Sequence, residues 1–360
     1  KVVAVYKQTG LGVPRSGSGG QALRRETSSG KLSVAGYENN EITAHQQSTG
    51  KTHGGRNASF SLNGLLSPNT YSTLFASIVR KLFTATTAFA ASTITISGSA
   101  ALWTFTASAA APTFLTLGLK VGDVIRLSAA GGTAGNKANN ILVMGVSSET
   151  VFTGITLNAS ALTAEAITTC TVTVVGKKAI AAATSQTSDY WTVEEYQSDI
   201  VKSELFTDAV FGSVDVNIPA SGNTTVAFNA VARDRTSSGA QVLTTPTAET
   251  TTSVVQGIKG IVIVNGIEVA NVTGASIKID GNVSPMDAVL GTNISPDVNR
   301  GILKVSGQIT AFYESAVLSG YFDAATPISV VLVDAVDDTN ASEFVSFVMS
   351  KVKFDGDDKD

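Results

Sequence analysis

The chain has 360 residues, 43% hydrophobic and only 15% charged, with a formal net charge of −4. That length supports more than one buried core and excludes a disordered chain. The wealth of Thr, Ser, Ala, Val and Gly favours strands and turns over helices rich in Glu and Lys. A net acidic chain does not grip nucleic acid phosphates tightly.

Cys170 is the single cysteine, so neither an intrachain disulfide nor a cysteine metal cage can form, and a small buried hydrophobe in a reducing compartment is expected. Lys1 to Gly12 lacks the apolar core and small-residue cleavage site of a secretory signal. Charge is split unevenly: residues 1–180 carry 15 Lys+Arg and 6 Asp+Glu (+9), and residues 181–360 carry 10 and 23 (−13). Such asymmetry fits either a solvated surface or head-to-tail association of a basic face with an acidic one.

In chain order, Thr9 to Gly20 is too rich in Gly and Pro for regular structure and reads as a loop, ordering on assembly. A strand follows near Leu32-Ser33-Val34, then a long polar stretch from Glu38 to Asn57, then the alternating strand Ser59 to Leu65. A helix is expected over 68–81, with Ser67 as cap, Pro68 in the first turn, and Tyr71, Leu74, Phe75, Ile78 and Val79 on one face. Arg80 and Lys81 would face its C-terminal dipole.

No charge occurs between Lys81 and Lys120, but the Ser and Thr content is too high for a membrane span. Thr93 to Ser97 and Leu102 to Thr106 alternate as half-buried strands. Residues 90–180 therefore read as an inserted small β domain, with a hairpin turning at Gly122-Asp123 and strands at Ile141 to Val146, Val151 to Leu157 and Thr171 to Val175, flanked by units at 1–89 and 181–360. Strands resume at Trp191, Val210 to Ile218, Thr225 to Val231 and Ile258 to Val264, around a Thr-rich loop at Thr244 to Thr252.

A weak repeat links the two ends of the chain. Phe60, Leu62 and Gly64 correspond to Leu303, Val305 and Gly307. Each set follows an alternating strand (Leu32 to Tyr37; Ala275 to Asp280) and an arginine-bearing loop (Arg56; Arg300), and precedes a helix, the second weak one near Phe312 to Tyr321.

Enzymatic motifs are sparse. His45 and His53 lack convincing third and fourth metal ligands, Gly17-Ser18-Gly19 lies in a loop rather than a nucleophile elbow, and the glycine clusters lack the lysine of a phosphate loop. The tail Asp355, Asp357, Asp358 and Asp360 reads as solvated. No catalytic residue, cofactor or metal is expected.

Gln8 to Pro14, Gly17 to Gly20, Leu23-Arg24-Arg25, the strand from Arg56 to Gly64 and the helix after Ser67-Pro68 resemble the opening of the tail tube proteins of siphophages, which carry long non-contractile tails. Trp191 to Glu195, Ser203 to Val214, Val264-Asn265-Gly266 and Asp297 to Gly307 resemble the later part of that family, so the likeness covers 8–81 and 190–354. It implies a mainly β, duplicated sandwich whose strands join a continuous barrel around a DNA channel, with the insert outside. It implies rings of three chains with pseudo-sixfold symmetry, or of six, and partners among tail tip, tape measure and tail terminator proteins. Viral DNA would pass without sequence-specific binding, the lumen would be acidic, and assembly would occur in the host bacterial cytoplasm, with no membrane. Loops 36–58 and 281–300 would stack, making Arg24, Arg25, Glu38, Glu41, His45, Lys51, Arg56, Asp287, Asp297 and Arg300 candidate contact residues. The alternative is a surface- or glycan-binding module of the tail, with Trp103 or Tyr37 stacking on sugar.

Overall fold

The computed structural model describes residues 1–41, 44, 50–99, 101–109, 112–312 and 317–356, and the fold is mainly β. Strands β1 (Val2–Lys7), β2 (Gly17–Ala22), β3 (Thr27–Glu38) and β4 (Lys51–Leu65) lead to helix α1 (Ser72–Val79). Next come β5 (Ser92–Ser99), β6 (Leu102–Ala107), β7 (Val124–Ser128), the short α2 (Ala134–Ala138), β8 (Ile141–Val146), β9 (Val151–Thr156) and β10 (Glu165–Val174). The remainder holds β11 (Trp191–Gln197), β12 (Lys202–Pro219), β13 (Thr225–Ala232), β14 (Asp234–Ser238), β15 (Leu243–Thr247), β16 (Ile261–Val264), β17 (Val272–Asp280), β18 (Lys304–Ala311), α3 (Val317–Asp323), β19 (Ile328–Ala335) and β20 (Phe344–Val352).

The spine is β12, 18 residues long. Its first half pairs with β11 and β14, and its second half with β17 and β13. Two sheets therefore share one strand: β15-β2-β1-β11-β12-β14 and β3-β4-β13-β12-β17-β18. They close over a common core, to which the first contributes Val3, Val5, Trp191 and Phe206 and the second Phe60, Leu62, Phe228 and Ile277.

Helix α1 covers the inner face of the second sheet. Phe75 meets Phe228 of β13 at 5.2 Å between ring centroids and Phe347 of β20 at 5.9 Å. Beyond the helix lies a small sheet of β16, β19 and β20, with the two-residue strand Ile267–Glu268 at its edge. Val330 and Leu332 of β19 point into the main core, while Val331 and Val333 meet Val124, Leu142 and Met144. Burial on both faces explains the nearly unbroken apolar run of Ile328 to Val333.

Strands β9-β6-β5-β10-β7-β8 form a closed barrel, filled by Phe89, Phe105, Phe114 and Phe152 among others. Phe105 and Phe152 stack at 4.7 Å. Closure leaves this unit no free strand edge. A two-residue ribbon, Thr84–Ala85 against Lys177–Lys178, joins the barrel's entry and exit.

Several local expectations are corrected. Helix α1 begins at Ser72 rather than at 68, its N-cap is Tyr71 without a side-chain bond, and Ser67 instead meets Thr70 and Arg24. Arg80 ends the helix in the left-handed region, and its side chain turns to Gly281 instead of to the helix carbonyls. The glycine-rich segment is a loop only to Ser16, because Gly17–Ala22 forms β2 between β1 and a parallel β15. A Cβ on Gly20 would lie 2.9 Å from the Val5 carbonyl oxygen, so only glycine lets β2 approach β1 here. The Thr-rich segment also supplies a strand, β15, and the expected hairpin at Gly122-Asp123 is a turn entering β7 alone.

Candidate assembly surfaces

The outer face of β3-β4-β13-β12-β17-β18 is a lattice of small polar side chains. Cross-strand register places Thr27, Asn63, Ala227, Asp215, Lys278 and Ser306 in one row, and Ser29, Ser61, Asn229, Ser213, Asp280 and Lys304 in the next. With Lys31 this face carries three lysines against two aspartates. It is not acidic.

Both borders of this sheet are open. Among the described residues, strand β3 pairs only with β4, and β18 only with β17. Every neighbour in the series is antiparallel, so β3 and β18 run in opposite directions. Strand β18 is exposed on both faces over most of its length, and Val305 is 49% and Phe312, just beyond it, 71% exposed. Unpaired backbone combined with exposed apolar groups marks a surface made for pairing.

Strands β3 and β17 run parallel to each other, so their following loops, 39–50 and 281–303, leave from the same end of the sheet. The loops do not leave independently. Arg56 on β4 receives the second loop through its N–H to the Asn293 carbonyl at 2.7 Å, while its guanidinium pairs with Asp234.

The candidate contact residues divide into two groups. Glu38 pairs with Lys51 at 2.7 Å across the exposed tip of β3 and β4, Glu41 bonds to nearby Asn39, and Asp287 is exposed on its loop. Arg24, Arg25, Arg56, Asp297 and Arg300 are engaged within their own chain. Arg24 donates to Ser67 at 2.6 Å and to the Thr252 carbonyl at 2.7 Å, and Arg25 donates to the Lys1 carbonyl. Asp297 accepts from the Tyr190 hydroxyl at 2.9 Å, and the Arg300 guanidinium lies 4.5 Å over the Tyr190 ring. His45 lies outside the described residues, as do Asp357, Asp358 and Asp360.

Part of the uneven charge along the sequence is met inside the fold. Lys1 pairs with Glu195 and Lys7 with Asp189, each at 2.8 Å, and Arg56 with Asp234, so first-half bases meet second-half acids. Glu194 is buried and accepts backbone N–H groups of Val242 and Leu243 at 2.6 and 2.8 Å. Three ion pairs therefore help dock the two halves within one chain.

Sequence reasoning assigned Arg300 to a stacking loop but did not bring it beside Arg80. This side chain is only 9% exposed, donates to the Gly281 carbonyl at 2.7 Å, and lines a cleft with Arg300, Gln186, Gly301 and Ile302. Burial, followed by the nearby positive charge of Arg300, pulls the Arg80 pKa down. The signal was absent because Arg80 and Gly281 are 201 positions apart.

The glycan reading loses one of its two aromatic anchors: Trp103 is 5% exposed, in the barrel core, whereas Tyr37 is 61% exposed. Among the described residues no group of three or more His, Cys, Asp or Glu could hold a metal ion, and no helix is long and apolar enough to cross a membrane.

No curated protein matches the chain. A family model described as phage tail tube protein matches residues 1–360. That match spans both sheets, the shared spine and the inserted barrel, and the chain belongs to the phage tail tube protein family, structural components of the virion tail.

Proposed function

We propose that this protein is the non-enzymatic subunit of a long, non-contractile tail tube, assembling into stacked rings whose lumen conducts DNA. The observation that carries the reading is the pair of open, oppositely directed edges, β3 and β18. Head-to-tail docking of β18 of one copy against β3 of the next continues the sheet in antiparallel fashion, and a ring of copies closes it into a barrel without edges.

Only one face of the sheet can line such a ring. The apolar face carries α1, the β16-β19-β20 sheet and the barrel in succession, and that bulk has room only outside. The lumen wall is then the lattice of Ser, Thr and Asn with balanced Lys and Asp. A near-neutral hydroxyl and amide wall neither captures phosphates nor repels them strongly, which suits rapid passage of DNA. The hairpins β3–β4 and β17–β18 sit in one sheet with their long loops at the same end, which supports the duplicated reading. Three chains then present six equivalent hairpins; a ring of six single-copy units is the alternative.

The exposed tips around Glu38, Glu41, Lys51 and Asp287 reach the adjacent ring, and Arg56, Asp297 and Arg300 hold the loop bases in place. Tail tip, tape measure and terminator proteins are the expected partners, with assembly in the host cytoplasm.

Electron microscopy of the purified protein tests this directly. Hollow rings or tubes are expected, and cysteines introduced as Ser29→Cys and Ser306→Cys should yield, with a flexible bis-maleimide, a cross-linking ladder that stops at three chains. A ladder reaching six indicates the hexamer. Compact monomers under all conditions would overturn the proposal.

A further inference from the structure

We infer that the Arg80–Arg300 cleft is an oxyanion-binding socket, filled in the assembled tube by a carboxylate side chain of a second copy of this chain. The inference deepens the proposed function and rests on it for the identity of the second copy.

Arg80 is nine-tenths buried, yet among the described residues it forms no ion pair, and neither does Arg300. A buried guanidinium is ordinarily paired with a carboxylate, because desolvating the charge is otherwise costly. Here the second charged group in the cleft has the same sign. One amino group of Arg80 is fixed by the Gly281 carbonyl, and Arg300 is held by stacking on Tyr190 and by donating to the Asp189 carbonyl at 3.3 Å. The nearby acids are already engaged: Asp189 pairs with Lys7, and Asp297 accepts from Tyr190. Two fixed guanidinium groups line an open cleft of about 540 Å³, and each carries the planar fork of donors that recognises a carboxylate or phosphate.

Position in the fold identifies the source of the anion. Gly281 follows β17 and Arg300 precedes β18, so the cleft opens at the loop end of the sheet. The opposite end, before β3 and β17, carries Glu26, Glu249 and Glu268, all exposed. Arg24 and Arg25 at that end are turned onto their own chain. Stacking copies head to tail brings the acidic end of one against the cleft of the next.

The experiment has two arms. In the first, the ³¹P resonance of inorganic phosphate is recorded with soluble protein. Saturable broadening is expected with the wild type and should be lost in Arg300→Gln and Arg80→Gln variants whose circular dichroism is unchanged. Absence of broadening in the wild type, or broadening that survives both variants, overturns the socket. In the second arm, tube yield is measured by sedimentation. Phosphate and succinate should each lower wild-type yield several-fold at matched ionic strength, and Arg300→Glu should abolish it. Phosphate binding without any effect on yield overturns the second-copy carboxylate and leaves a site for free anion. A wild type that never assembles defeats the proposed function instead, while the first arm still reports on the cleft.

Discussion

Gly30 of β3 lies directly beneath the ring of Phe206, so close that a Cβ at position 30 would stand 2.0 Å from Cζ. Phe206 comes from the first half of β12, in the other sheet, and is fully buried. The contact closes the two sheets over one another, and the missing side chain is what permits it. Gly30→Val forces the ring out of its place beside Phe60, 5.4 Å away. The expected loss of stability is about 2–3 kcal/mol. Urea unfolding of soluble protein checks this; an unchanged midpoint would mean the sheets are not held at this point.

Asp334 of β19 is completely buried, hydrogen-bonded by the Thr224 hydroxyl, and its second carboxyl oxygen finds no side-chain partner among the described residues. Burial pushes its pKa up from 3.8 to about 6, only partly offset by the Thr224 hydroxyl and the Ala335 N–H. The folded state therefore holds this proton more tightly than the unfolded chain. Its stabilising contribution is complete below about pH 4, declines as pH rises towards about 6, and stays lost above that. Asp334→Asn removes the titration. Between those limits the wild type should lose on the order of 2 kcal/mol that the variant does not lose. Thermal unfolding against pH tests it, and parallel profiles for the two proteins would refute the assignment.

Much of the fold could be read in the sequence where packing is local. The alternation of Phe60, Leu62 and Gly64 predicts an inward face, and all three are buried in β4. Tyr71, Leu74, Phe75 and Ile78 form the buried stripe of α1. The strand content of the barrel followed from the same period. What escaped depends on distant partners. Gly17-Ser18-Gly19-Gly20 has no strand propensity, and β2 exists because β1 and β15 supply backbone on both sides. Arg80 looked like a dipole partner for its own helix, but a loop 201 residues away took its side chain. Five of the candidate contact residues were legible as charged loop groups, but not as anchors inside their own chain.

The internal pairing of Lys1 with Glu195, Lys7 with Asp189 and Arg56 with Asp234 bears on how assembly should respond to salt. If rings met through a basic half and an acidic half, salt would dissolve the tube, because exposed charges are screened within about 10 Å at 0.1 M. Closure through backbone hydrogen bonds at β3 and β18 is much less sensitive, and a carboxylate enclosed between Arg80 and Arg300 is screened far less than exposed charges. Tubes once formed should persist in ~0.5 M sodium chloride, the Debye length then being well under 10 Å. Dissolution below that concentration, followed by light scattering, would restore the charged-face mechanism.

Asn140, at the start of β8, latches the barrel to the rest of the chain. Its side-chain amide donates to the Ser342 carbonyl at 2.7 Å, its backbone N–H to the Asn340 carbonyl at 2.8 Å, and its side-chain oxygen accepts from Arg126 at 2.8 Å. The barrel keeps its own core in Asn140→Ala, so it should remain folded, but the Arg126 guanidinium and the Ser342 carbonyl lose their partner. The docked state should weaken by about 1–3 kcal/mol, the cost of leaving buried polar groups unpaired. Loosening concentrates strain on the linkers 86–91 and 179–188, and limited proteolysis should cut there several-fold faster than in the wild type. Fluorescence from buried Trp103 should not change, which separates undocking from unfolding of the barrel. Unaltered cleavage would place the docking energy instead in the apolar contact of Val331 and Val333 with Leu142 and Met144, and Leu142→Ala should then show the effect that Asn140→Ala lacks.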